Sequence, residues 1–407
     1  MKTIRVPWGA WYAERQLALS FPAAWEVHTA ALPEAPPLSA ADVARAFAAP
    51  TGSAPLHMIA SGRRDAVIAV DDITRPTPSG ELLGPVLDEL ARGGITRQRV
   101  RVVIASGAHR PAIRQDVERK LGRRLAQSLD VVVHNPYEGL AFVGRSRAGI
   151  PIYANRAYLE GDLKIAIGGI TPHESAGFGG GRKLIAVGLA GLETLCAFHS
   201  LDGPPAAHIG CIEGNAQHAN LVEIARAIGL DFIVNAVFNA NREVAGLVCG
   251  EPSAAHAAGV ALARTLYACP APPGADVVVL NAYPKDTDLL QACMALNVAW
   301  TSAPWMVRPG GTIVITAACP EGAGVHFLAG YGMRAPFAWT EEALKGHALM
   351  VVSPHVSQHE LARHFPASAV RYSRWGDAVR ALIRRHGWHV RAVVYPNAPL
   401  QLPVARG

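Results

Sequence analysis

No CxxC pair occurs among the six cysteines of this 407-residue chain. Cys196, Cys211, Cys249, Cys269, Cys293 and Cys319 stand singly, which argues against a zinc ribbon or a disulfide scaffold and for a reducing compartment. The N-terminus, MKTIRVPWGAWYAER, holds no apolar signal core, and no apolar run reaches the length of a membrane span. A soluble, cytoplasmic protein with no membrane partner is expected. No basic stripe is interleaved with aromatics, so nucleic acid is not an expected partner either. Charged residues are scarce, at 17%, against 50% hydrophobic; that balance builds large cores and excludes a disordered chain. The net charge of +6 suits an anionic substrate or cofactor.

What is present is an alternation of short apolar strands with helices. Strands are expected at residues 66–70, 100–105, 130–134 and 163–167, with helices at 82–92 and 113–125. Ser39, with Asp42 three residues on, caps a helix over 39–48. Residues 214–229 and 253–268 read as helices, and 232–249 as a hairpin around Asn239-Ala240-Asn241. The run Cys269-Pro270-Ala271-Pro272-Pro273-Gly274 reads as an interdomain linker, because prolines at this density are out of place in a packed element. Strands resume at 276–280, 311–317, 348–352 and 390–395, with a helix near 289–299. The class is α/β with mainly parallel sheets. The expected organisation is an N-terminal α/β domain at 1–268, a smaller one at 274–394, and a tail at 395–407 returning to the first.

Ligands in such sheets bind beyond the carboxyl ends of the strands. Three strands deliver polar loops there: DDITRP (71–76), SGAHRP (106–111) and GGITPHE (168–174). The third runs on into Gly177, Gly179, Gly180, Gly181 and Lys183, and an apolar helical segment leads to His199. Glycines let backbone N–H groups approach a phosphate closely. This is not a Walker A loop, since Gly181 is followed by Arg182, Lys183 and Leu184.

In these residues the sequence resembles the nickel-pincer lactate racemases and their homologues. The carriers are DDITRP, SGAHRP, GGITPHESAGFGGGRK with His199 beyond the lysine, and YPKDTDLLQ (283–291), in matching order and spacing. The resemblance implies two α/β domains with the active site in the cleft between them. It implies that Lys183 holds a pyridinium-3,5-bisthiocarboxylic acid mononucleotide through a thioamide, and that His199 is the protein ligand of its nickel. It makes His109 and His173 the two acid–base residues. Arg75, Gln291 and Met294 become substrate contacts, while Asp72, Thr74, Gly179, Gly180 and Gly181 fall where the nucleotide lies. Lactate-active members carry a lysine at the position of Met294, so a cationic substrate contact is missing here and the resemblance leaves open which 2-hydroxy acid is the substrate; it implies separate cofactor-building enzymes as partners.

The residue types suit that chemistry. Inverting a 2-hydroxy acid moves hydrogen off one face of a carbon and back onto the other, through a planar keto acid. A base is needed for each enantiomer, and imidazole serves both directions near neutral pH. Imidazole is a sound nickel ligand, and arginine matches a carboxylate with two parallel hydrogen bonds. Two other readings stay open on the residues alone. One is a metal-dependent hydrolase or hydratase, with His109, His173 and His199 binding zinc or iron. The other is a non-catalytic nucleotide-binding sensor. His355 and His359, four apart, are expected to be solvated.

Overall fold

The computed structural model describes residues 1–200, 209–298, 303–329 and 339–405. The chain forms two compact units, one of Ala35–Leu266 with His326–Ala335, the other of Met1–Glu34, Tyr267–Val325 and Pro336–Gly407.

In the first unit a six-stranded sheet runs in the order Val244–Gly250, Phe232–Phe238, Leu163–Gly169, Ala66–Asp71, Val100–Ala105, Asp130–Val133. Only the first pair is antiparallel, the hairpin expected around Asn239–Asn241; the rest are parallel. Ala66–Asp71 lies at the centre and is buried throughout, which is why it reads as a continuous apolar run rather than an alternating one. Val67, Ala69, Val103 and Ala166 pack with Tyr158, Ile185, Phe198, Leu221 and Ile224 in one core. Each large side chain buried this way contributes roughly 1.5–3 kcal/mol. That core fixes the helices that carry the lysine and His199, Arg182–Ala186 and Leu192–His199.

Ser39 caps Ala40–Ala48 through a capping box with Asp42. The helix expected at 113–125 is two helices, Arg114–Leu121 and Arg123–Ser128. Gly122, at φ +80°, breaks it by adopting a left-handed backbone that ends the first segment.

The second unit has its own six-stranded, all-parallel sheet, in the order Val370–Tyr372, Ala348–Val352, Val307–Thr316, Ala275–Asn281, Arg391–Tyr395, Glu26–Thr29. Its edge strand comes from the N-terminus, so residues 1–34 belong here and not with the rest of 1–268. The Asp286 carboxylate accepts the N–H groups of Gly9 and Ala10 at 2.8 and 3.1 Å, fixing the turn of the hairpin Lys2–Trp8/Arg15–Phe21. The C-terminal tail departs from expectation as well. Leu402–Ala405 pairs with Ala268–Ala271 within this same unit. The start of the proline-rich run is thus a strand with Cys269 and Ala271 buried. In a two-stranded pair a proline that lacks an N–H is tolerated, as on any sheet edge.

Candidate active site

The loops after two neighbouring strands of the first unit, Ala66–Asp71 and Val100–Ala105, meet at an imidazole. Asp71 ends the strand Ala66–Asp71 and, with Asp72, begins the DDITRP loop. Asp72 Oδ1 accepts the backbone N–H and the hydroxyl of Thr74, at 3.2 and 2.6 Å, a local turn that orients its other oxygen. That oxygen, Oδ2, lies 2.8 Å from His109 Nδ1. Arg75 donates Nη1–H to Thr74 Oγ1 at 2.8 Å and brings Nη2 to 3.4 Å from His109 Nε2. His109 itself sits on a turn closed by its N–H to Ser106 O at 2.9 Å. Arg110 ties the same loop to helix Arg114–Leu121 through Asp116, at 2.7 Å. Gly107 joins it to the lysine segment: its N–H donates to Gly188 O at 2.9 Å, and a Cβ there would meet Val187 O at 3.0 Å on a φ of +54°. A side chain at this position is disfavoured on both counts.

Asp72 is buried. Burial raises its pKa, but the His109 and Arg75 charges and the Thr74 hydroxyl outweigh burial and hold it well below the usual carboxylate range. An ionised Asp72 fixes the proton of neutral His109 on Nδ1, which leaves a lone pair on Nε2 beside Arg75. Burial, then Arg75 and Lys183, lower the His109 pKa against the pull of Asp72.

Lys183 and His199 belong to the same electrostatic neighbourhood. Burial and Arg75 bring the Lys183 amine down to about 7, so near neutral pH a large share is the uncharged nucleophile. His199 donates Nδ1–H to Leu195 O at 2.7 Å. Its neutral ring therefore keeps a lone pair on Nε2, and burial brings its pKa down to about 4. A histidine with one nitrogen committed to a backbone carbonyl is the usual form of a metal ligand.

His173 stands on the short hairpin Pro172–His173/Gly177–Phe178. Its Nδ1 accepts the N–H groups of Ser175 and Ala176 at 3.4 and 3.3 Å, which puts the proton of the neutral ring on Nε2, the reverse of His109. The glycines behave differently from the sequence expectation. Gly179 donates its N–H to Thr171 O at 2.8 Å and Gly181 donates to Asn235 Oδ1 at 2.7 Å, so neither group is offered to a phosphate. Gly180 and Gly181 have φ of +79° and +45°, and a Cβ on Gly180 would meet Asn235 Oδ1 at 2.9 Å. They serve the turn and its close packing.

Gln291 and Met294 lie in the second unit. Asp288 caps the turn Leu289–Ala292, accepting the Gln291 N–H at 2.9 Å, and Gln291 is buried rather than on a helix surface. Met294 is half-buried at the start of Met294–Asn297. His355 and His359 are exposed, as expected. Two site features escaped the sequence reading. Lys120 is buried 2.6 Å from Asp71 and donates to Arg75 O at 3.0 Å, bracing the loop from beneath. His326 places its ring centroid 5.3 Å from that of His109. No motif of the sequence contains it, and its bridge to His109 joins stretches far apart in the chain. Among the described residues no three His, Cys, Asp or Glu side chains converge to hold a metal ion. A zinc centre built from His109, His173 and His199 therefore finds no support, whereas a single histidine ligand completing a cofactor's own donors needs no such cluster.

The fold and site define a class: an α/β protein with a carboxylate-braced imidazole, an arginine, a lysine of depressed pKa and a ligand-type histidine gathered at the carboxyl edge of a parallel sheet. Comparison with known proteins narrows it. Residues 12–210 match the family described as Lactate racemase N-terminal domain. Lactate racemase of Thermoanaerobacterium thermosaccharolyticum is 32% identical over 288 residues, 69% of this chain and 66% of that protein. Lactate racemase of Lactiplantibacillus plantarum is 32% identical over 280 residues, 68% of this chain and 65% of that one. The matches thus span just under two thirds of those relatives' length. The structure of the T. thermosaccharolyticum lactate racemase apoprotein shares the fold over 100% of both chains, with a TM-score of 0.77 and 23% identity. A Thermotoga maritima crystal structure matches with a TM-score of 0.66 at 17% identity, over 86% of this chain and 96% of that one. The first half of the chain thus resembles the lactate racemase N-terminal domain, and the whole chain shares the fold of a lactate racemase apoprotein.

Proposed function

We propose that the protein is an isomerase, a racemase or epimerase of 2-hydroxy acids that uses the nickel-pincer nucleotide on Lys183. The observation that carries this reading is the Asp72–His109–Arg75 constellation, 2.8 and 3.4 Å across its two contacts. Arg75 binds the substrate carboxylate, and the adjoining hydroxyl then lies next to His109 Nε2. His109 takes the hydroxyl proton there, and Asp72 stabilises the imidazolium that results. His173 serves the opposite enantiomer. It takes a proton on Nδ1 only by giving up its two contacts of 3.3 and 3.4 Å, and at those lengths the loss is small.

The residues fit the group that the family resemblance implies. Lys183 supplies a nucleophilic amine for a thioamide, and His199 supplies an Nε2 lone pair for nickel. The chemistry such a group supplies when bound is reversible acceptance of a hydride from the substrate carbon. By the same resemblance Asp72, Thr74 and Gly179–Gly181 are assigned to the nucleotide, and Gln291 and Met294 to the substrate. Met294 in place of a lysine favours a substrate less polar than lactate. Enzymes that build the nucleotide are implied as partners, and the cytoplasm as the compartment; no helix among the described residues is long and apolar enough to cross a membrane.

The test is co-expression with those cofactor-building enzymes, followed by intact mass and peptide mapping around Lys183, nickel analysis, and chiral chromatography of a 2-hydroxy acid panel. The expected result is a nucleotide-sized adduct on Lys183, bound nickel, and racemisation of at least one acid. An unmodified Lys183, under conditions that load an authentic relative, sinks the reading.

A further inference from the structure

His326 lies far from the other site residues in sequence but is locked against them in space. Its backbone forms an isolated antiparallel bridge with His109. The next residue, Phe327, donates its N–H to Ala108 O at 2.7 Å and sets its ring edge-on to Tyr137, centroids 5.2 Å apart. Leu328 is buried, and the turn Phe327–Ala329 packs on the helix that ends in His199. The segment is thus held at both the histidine loop and the ligand helix. The His326 ring stands 60° from the His109 ring at 5.3 Å. Its Nδ1 accepts the Leu328 N–H at 3.3 Å, so the neutral ring carries its proton on Nε2 and can donate there. Burial, with His109, His199 and Arg75 adding to it, holds the His326 pKa below the ordinary imidazole value.

We propose that His326 is a substrate-binding residue of this site, donating from Nε2 to the carboxylate of the 2-hydroxy acid that Arg75 also holds. The proposal rests on the racemase reading above. A carboxylate beside Arg75 leaves acceptor positions for a second donor, and a donor one imidazole away from the base fixes which face of the substrate meets His109.

The experiment uses cofactor-loaded protein and a racemic 2-hydroxy acid from the turnover panel, titrated calorimetrically. A racemate gives no net reaction, so the heat reports binding alone. His326→Phe is expected to raise both Kd and KM about tenfold or more, with the pH midpoint of kcat unmoved. His326→Gln, which keeps an N–H donor, should recover most of the loss. If the phenylalanine variant does not fold, His326→Met, also without a donor, takes its place. Unchanged Kd in the donor-less variant overturns the proposal. So does a shifted pH midpoint of kcat with KM and Kd intact, which would mean that His326 acts only through His109. Loaded wild-type protein that binds no 2-hydroxy acid overturns the proposal together with the racemase reading, and that outcome is seen without any variant.

Discussion

His109 donates its Nδ1–H to Asp72 Oδ2 across 2.8 Å and turns Nε2 toward Arg75 at 3.4 Å. One carboxylate thereby sets the tautomer of the proposed base, and one guanidinium marks the proposed anion site beside it. Because both partners come from the same six-residue loop, DDITRP, the base and the anion site are positioned relative to each other by local geometry.

Asp72→Asn tests the tautomer argument. An asparagine amide can offer an N–H to His109 Nδ1, which places the ring proton on Nε2 and removes the base. Turnover of any substrate acid should fall by about 10²–10⁴-fold, while thermal stability changes little. Initial rates by chiral chromatography check it, and a loss below tenfold would show that Asp72 does not set the tautomer.

The parts of this site legible in the sequence are those made by short stretches. DDITRP, SGAHRP and the lysine segment each follow a buried apolar run, and the rule that ligands gather at the carboxyl edge needs only the order of strands and loops. What was not legible depends on pairing between distant stretches. Nothing local in residues 26–29 announces that they pair beside Arg391–Tyr395. Nothing in a glycine cluster says that Asn235 has already taken the Gly181 N–H. The proline-rich run misled because proline's cost depends on whether its missing N–H faces a partner, and beside Leu402–Ala405 it does not decide the matter. Gly122 was overlooked as a helix break because a glycine inside a helical pattern, here after Glu118-Arg119-Lys120-Leu121, reads equally as an interruption or a tolerated interior residue.

Lys120 braces the loop from below. With Asp71 at 2.6 Å and both groups buried, burial drives each toward its neutral form. Removing one partner leaves the other without its counter-charge. Lys120→Met should destabilise the protein by about 3–5 kcal/mol, and loss of the bond to Arg75 O should raise KM through a looser anion site. Urea denaturation and steady-state kinetics read the two effects. A melting curve like that of the wild type would show that the pair is not stabilising.

Acid sensitivity should trace in part to a neutral histidine that takes no part in the proposed chemistry. His134 is fully buried, with Nε2 donating to Ala190 O at 3.0 Å and Nδ1 accepting from Asn155 at 3.1 Å. Burial brings its pKa from 6.5 to about 4. Between those values the unfolded chain binds the proton and the folded chain does not. Stability contributed by the neutral ring is therefore complete above about pH 6.5, falls as pH drops toward 4, and changes no further below that. The loss from this one group is up to about 3 kcal/mol. His134→Gln, which can donate and accept at similar places, should flatten the Tm profile between pH 4 and 6.5. An unaltered slope would assign the acid sensitivity elsewhere.

Lys183 offers a test that needs neither cofactor nor substrate. Burial and the Arg75 charge bring its amine to about 7, against 10.5 for an ordinary lysine. At pH 7.5 most of it is unprotonated, whereas a surface lysine is about 0.1% so. Pulse labelling of the unloaded protein with an amine-selective acylating reagent, followed by peptide mapping, should give Lys183 a reactivity midpoint near pH 7. Other lysines should still be gaining reactivity above pH 10. Arg75→Gln removes the second of the two causes and leaves burial, so the midpoint should rise without reaching the ordinary value. The reagent must enter a half-buried site, so the midpoint, not the absolute rate, is the quantity to compare. A midpoint near 10 in the wild type would mean that the amine is not poised for covalent attachment, and that loading of the nucleotide must depend on activation of its thiocarboxylate alone.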